Sequence, residues 1–156
     1  MSQHTHRYAA RVTWTGDRGQ GTHSYRSYGR EHEIAIAGKP PIVGSSDPLF
    51  RGDAGLHNPE DLLVSSLSAC HMLWYLHLAA ESGIVVRGYV DDAIGSMFTD
   101  ADSGRFSEVV LKPTVTISAG DPATADALHH LAHQACFIAN SVNFPVRCEP
   151  RIVVTD

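Results

Sequence analysis

Positive charge is in short supply: twelve Lys and Arg stand against seventeen Asp and Glu, a formal net charge of -5. That sign is wrong for a protein that coats nucleic acid or anionic lipid. No run approaches the roughly 18 to 20 apolar residues that a membrane-crossing helix needs, and Met1 to Tyr8 is polar, with no hydrophobic signal core. The expectation is a soluble cytoplasmic protein with neither nucleic acid nor membrane as a partner. Cysteine is also sparse, and odd in number: Cys70, Cys136 and Cys148. Such a set argues against a disulfide-stapled secreted scaffold and leaves chemistry or simple burial as explanations. There is no G-x-S-x-G elbow, no Walker loop and no G-x-G-x-x-G after a strand, since Gly19-Gln20-Gly21 is too short and falls in an expected hairpin. Serine hydrolase and nucleotide-binding readings fail on those grounds.

What remains is enough to fold. The 156 residues are 43% hydrophobic and 19% charged, with 13 Gly and 8 Pro, so neither disorder nor a collagen-like repeat fits, and a single domain over 1–156 is expected. Ten histidines soften the charge as pH falls toward about 6. Alternation at Tyr8, Ala10, Val12 and Trp14, weaker alternation over residues 22–28, and Ile34 with Ile36 predict three early strands. The Gly, Ser, Asp and Pro of residues 41–56 predict a long loop. Asn58-Pro59-Glu60-Asp61 opens a helix to about Glu81, with Gly83 closing it. Its stripe of Leu63, Leu67, Cys70, Trp74 and Leu78 would put Cys70 on the buried face. Residues 85–97 and 106–118 read as a strand pair, Asp121-Pro122 opens a second helix to about Asn140, and residues 146–154 supply a closing strand. This order predicts an α+β fold without βαβ alternation.

Each long helical segment carries a cysteine, and two thiols on core-facing stripes can meet across neighbouring helices. Burial alone is the competing explanation, because free Cys is among the most buried residue types. A reactive thiol must ionise near pH 7, which calls for nearby positive charge; an Arg held by a carboxylate such as Glu60 would serve. Arg18, Arg30 and Arg51 all precede the helix in loops or at strand ends. His129, His133 and Cys136 fall on one face of the second helix and form a candidate zinc site, with ordinary hydrogen-bonded histidines as the alternative. His71 and His77 stand under the same alternative, and Cys148 carries no assigned role. Asp91-Asp92 and the Asp100, Asp102 pair read as solvated turn carboxylates.

Asn58-Pro59-Glu60-Asp61-Leu62-Leu63, then Ser65-Ser66-Leu67-Ser68-Ala69-Cys70, with a second helical Cys 66 residues later, resembles the OsmC/Ohr family of osmotically inducible and organic hydroperoxide resistance proteins. The resemblance implies antiparallel sheets packed around two long central helices, in an intertwined homodimer whose sites draw on both chains. By the same resemblance, Cys70 would attack an organic hydroperoxide and become a sulfenic acid, and Cys136 would resolve it as a disulfide. Glu60 would orient the site Arg, with Arg30 the first choice over Arg18 and Arg51. A small dithiol or lipoyl-type reductant would restore the thiols. No cofactor or metal belongs to that scheme. The alternative is a non-catalytic OsmC-like dimer that binds a ligand or metal or senses redox state.

Overall fold

Strand alternation between turn-forming residues yields one small sheet in the first of two units, which ends at Leu62. Strands β1 (Arg11–Trp14), β2 (His32–Ala35) and β3 (Ile42–Gly44) pair antiparallel in that order. The structure, a computed structural model, describes residues 4–155. Three early strands are present, but not the three expected. Residues 22–28 form turns, and the third strand is Ile42–Gly44, inside the expected loop. The turns win because Ser27 Oγ bonds the carbonyls of Gly21 and Ser24 and so offers the backbone partners outside a sheet. Val12, Ile34 and Ile42 stand opposite one another across the sheet.

Helix α1 (Pro59–Glu81) begins in the first unit and continues into the second, which starts at Leu63. Asn58 accepts from the Asp61 N–H at 2.8 Å while its own N–H donates to the Asp61 carboxylate at 3.2 Å, a reciprocal cap. At the far end Gly83, at φ 71°, lets the Ile84 N–H reach the Ala79 carbonyl at 2.9 Å and the Gly83 N–H reach that of Ala80 at 3.3 Å. This is a Schellman closure, which places Ile84 and Ala79 in the same apolar cluster. By length and composition α1 could cross a membrane, contrary to the sequence expectation; its Leu67, His71, Tyr75 and Ala79 are buried inside the second unit instead.

The expected strand pair is four strands: β4 (Val85–Asp91), β5 (Ile94–Thr99), β6 (Gly104–Leu111) and β7 (Pro113–Ala119). They break at Asp92-Ala93 and Lys112, so β4 pairs antiparallel with β7, and β5 with β6. Asp91 holds this break. Its carboxylate accepts from the Lys112 N–H at 2.6 Å and from Ser68 Oγ at 2.5 Å, so Asp91 is not the solvated turn carboxylate expected.

Helix α2 (Pro122–Ala135) starts on an Asp121 cap that accepts from both Thr124 N–H and Thr124 Oγ1. It ends five residues before the expected Asn140. The closing segment also divides, at Glu149-Pro150. Strand β8 (Val146–Cys148) joins β6 and β9 (Arg151–Val154) joins β7, both parallel. The α+β class holds, with parallel closing strands added to antiparallel hairpins. One core packs Tyr75, Ala79 and Ile84 against Val115, Ile117, Ala125, Leu128 and Ala132; a second gathers Leu67, Val109 and Leu111.

Candidate functional site

The buried face of α1 runs Leu67, His71, Tyr75, Ala79, one residue out of step with the expected stripe. Two polar side chains occupy it because each finds partners inside. Tyr75 Oη donates to the Ala125 carbonyl at 3.0 Å, and His71 meets His129. Cys70 and Trp74 therefore flank the buried face and are half-buried.

Cys136 does not sit within a helical turn, as the spacing suggested. It ends α2 with extended backbone angles, donating its N–H to the His133 carbonyl at 3.3 Å. The chain then turns through a short 3-10 segment at Ala139–Ser141. The Ala139 N–H donates to Cys136 Sγ at 3.4 Å. Only 1% of Cys136 is exposed. Burial pushes this thiol up to about 11; the Ala139 N–H opposes that, and the neighbouring Cys70 thiol adds to it. All three cysteines are free thiols. Sequence thus identified a pair that the fold brings together, one thiol partly accessible and the other enclosed.

Close by, the Trp74 ring meets Phe137 edge-on at 5.4 Å, and Leu73, Trp74 and His77 line a cavity of about 290 Å³. Leu73 and Phe137 are largely exposed, at 62% and 67%.

Arg30 and Glu60 belong to the first unit. The Arg30 guanidinium donates to the carbonyls of Tyr28 at 2.6 Å and Tyr25 at 2.8 Å and lies over both tyrosine rings. Arg18 is ion-paired to Glu31 at 2.6 Å. Arg51 takes a left-handed backbone at the end of a 3-10 turn. Glu60 takes no part in the Asn58–Asp61 cap and is half-buried in the first turn of α1.

A second group of ligand-type atoms is present in the second unit, and it differs from the expected His129, His133, Cys136 face. Because α2 stops at Ala135, that face does not persist to Cys136. His129 turns instead toward His71 of α1 and Cys148 of β8. His71 Nε2 and His129 Nδ1 are 3.0 Å apart, and Cys148 Sγ lies 3.7 Å from the first and 3.8 Å from the second. Tyr75 stacks on His129 at 4.1 Å. Burial lowers His71 to about 4, assisted by His133 and opposed by Asp91; burial and His71 lower His129 to about 4. Burial, followed by Asp91, Asp126 and Glu149, raises Cys148 to about 12. Nothing in the local sequence around Cys148 marks it for a site, because no local pattern shows where a parallel strand will land.

Residues 52–151 match the OsmC-like protein family. Among solved structures, an OsmC-like protein of unknown function from Vibrio cholerae O1 biovar eltor is 31% identical, with a TM-score of 0.84 over 94% of this chain and 99% of its own. An organic hydroperoxide resistance protein OsmC from Legionella pneumophila is 16% identical, with a TM-score of 0.67 over 97% of this chain and 99% of its own. One from Elizabethkingia anophelis is 14% identical, with a TM-score of 0.67 over 99% and 100%. The last two likenesses are likenesses of fold. Among curated proteins, none matches the chain significantly.

Proposed function

The chain belongs to the OsmC-like family, and on that premise we propose that it is a thiol-dependent peroxidase reducing organic hydroperoxides, with Cys70 as the attacking thiol and Cys136 as the resolving one. The observation that carries this reading is the pairing of a half-buried Cys70 with an enclosed Cys136. A peroxide can approach the first thiol, while the second is kept protonated until a sulfenic acid forms beside it.

In the first step the Cys70 thiolate sulfur bonds the terminal peroxide oxygen, the O–O bond breaks, and the alkoxide leaves as the alcohol after taking a proton. Cys70 is then a sulfenic acid. In the second, Cys136 sulfur attacks Cys70 sulfur, and hydroxide departs with the Cys136 proton as water, leaving a disulfide. A small dithiol or lipoyl-type reductant supplies two electrons and becomes a disulfide itself. By the same family resemblance Arg30, oriented by Glu60, would supply the cation for the thiolate; in the first unit its guanidinium is bonded to the carbonyls of Tyr25 and Tyr28.

An apolar substrate is supported by the cavity at Leu73, Trp74 and His77. An alkyl tail laid against these side chains would gain at most about 0.8 kcal/mol for each methylene it buries. A homodimer is supported by apolar surface left open on the single chain, at Val12 in the first unit and at Leu73 and Phe137 in the second.

The test is consumption of cumene hydroperoxide by the reduced protein with a dithiol present. Cys70→Ser is expected to lower turnover at least about a hundredfold with the circular dichroism spectrum unchanged. With the dithiol left out, Cys136→Ser is expected to release one alcohol per site and accumulate a sulfenic acid that dimedone traps. Undiminished turnover in Cys70→Ser would overturn the assignment.

A further inference from the structure

The contact of His71, His129 and Cys148 lies apart from the Cys70–Cys136 pair in function and joins three elements: α1, α2 and β8. One hydrogen bond at 3.0 Å accounts for the two rings and leaves the thiol with only long contacts to each. If one imidazole N–H donates to the other ring, that single bond uses the hydrogen of one nitrogen and the lone pair of its partner. The thiol is then left to share that bond, at nearly equal distance from both facing nitrogens.

A cation would engage all three atoms directly, because it takes two lone pairs and a thiolate at once. With Zn–N near about 2.0–2.1 Å and Zn–S near about 2.3 Å, tetrahedral ligands stand about 3.3 Å apart between nitrogens and about 3.6 Å between nitrogen and sulfur. The observed edges are 3.0, 3.7 and 3.8 Å. The donor set of two imidazoles and one thiolate is one that zinc takes readily. The field has the right sign as well, since Asp91, Asp126 and Glu149 all act on Cys148.

Packing restrains the donors, while the outer ring nitrogens, His71 Nδ1 and His129 Nε2, are buried without a hydrogen-bond partner among the described residues. His71 and His129 are 1% and 3% exposed, their rings lie within 5° of parallel, and Tyr75 stacks against His129 while fixed to the Ala125 carbonyl. A cavity of about 340 Å³ lined by Asp126, His129, His133, Val146, Cys148 and Pro150 reaches two of the three donors. We propose that His71 Nε2, His129 Nδ1 and Cys148 Sγ bind one zinc ion per chain, with the fourth position open to that cavity. Binding would release the Cys148 proton to solvent. Zinc neither gains nor loses electrons there, so binding needs no oxidant or reductant.

Cobalt(II) is the probe. Chelator-treated, reduced protein titrated with Co²⁺ is expected to bind one equivalent, with a thiolate-to-cobalt charge-transfer band and the intense visible bands of tetrahedral cobalt, all abolished by one equivalent of Zn²⁺. Cys148→Ala should remove the charge-transfer band, and His71→Gln should weaken Co²⁺ binding at least about tenfold, whereas Cys70→Ser and Cys136→Ser should keep both. The wild-type titration needs no variant to fold: failure to bind a stoichiometric cobalt overturns the proposal. So does a charge-transfer band that survives in folded Cys148→Ala, or one lost in Cys136→Ser, which would place the ion at the other thiol pair.

Discussion

The two thiols proposed to share one reaction sit in different environments. Cys136 is almost wholly enclosed and held up at about 11 by burial. At pH 8 a thiol of that kind carries roughly a hundredfold less thiolate than an unperturbed one. Iodoacetamide at pH 8, followed by peptide mapping, should therefore label half-buried Cys70 well before Cys136, and Cys136 labelling should keep rising with pH beyond 9 until the fold is lost. Equal labelling of the two would contradict the enclosed position of Cys136. At this scale the sequence was readable where a motif spans neighbouring residues: Asn58-Pro59-Glu60 and the spacing to Cys70 lie on one helix and need no tertiary information. Cys136 was expected inside a second helical segment, yet it ends that helix, because a run of Ala, Leu and His gives no stop signal before Ala135. His71 and Cys148 are 77 residues apart, and their meeting depends on β8 pairing parallel to β6, which no local periodicity encodes.

Element boundaries follow the same division between local and non-local causes. The starts of α1 and α2 were legible because Asn58 and Asp121 act on amides three residues away. The end of α1 was legible through Gly83. The division of the long hairpin at Asp92-Ala93 was not, because Asp91 fixes it by reaching Lys112 and Ser68, far along the chain. The strand at Ile42–Gly44 was hidden by its shortness and by the turn-forming residues around it. The Gly83 closure offers a direct test. Its φ of 71° lies in the left-handed region, and nothing stands within 4 Å of where a Cβ would be. Gly83→Ala therefore isolates backbone strain from crowding. It should destabilise the protein by about 1 kcal/mol, a fall in melting temperature of about 2–4 °C for a chain of this size. Gly83→Asn should recover part of the loss, because Asn tolerates that conformation better. An unchanged melting temperature in Gly83→Ala would show that α1 is not terminated by this residue in solution.

At the scale of the whole molecule, a single chain leaves apolar surface open. Val12, Ile34 and Ile42 form a cross-strand row on one face of the first sheet, with Val12 64% exposed, Ile42 36% exposed and Ile34 half-buried. Apolar residues in register across three strands are the pattern of a buried sheet face. Their exposure on a lone chain is what covering by a second copy would remove. Sedimentation equilibrium is expected to give twice the chain mass. Val12→Lys, at a position already open in the single chain, should leave the folded content unchanged. It should weaken self-association by about tenfold or more, since full burial of one Val side chain is worth at least about 1.5 kcal/mol and each dimer would lose two. If the proposed peroxide sites draw on both chains, turnover of Val12→Lys should fall with dilution in step with the dimer, although neither cysteine has been altered. A monomeric wild type with full turnover would remove the second copy from the mechanism. A dimer that survives Val12→Lys unchanged would move the interface away from this sheet, toward the exposed Leu73 and Phe137.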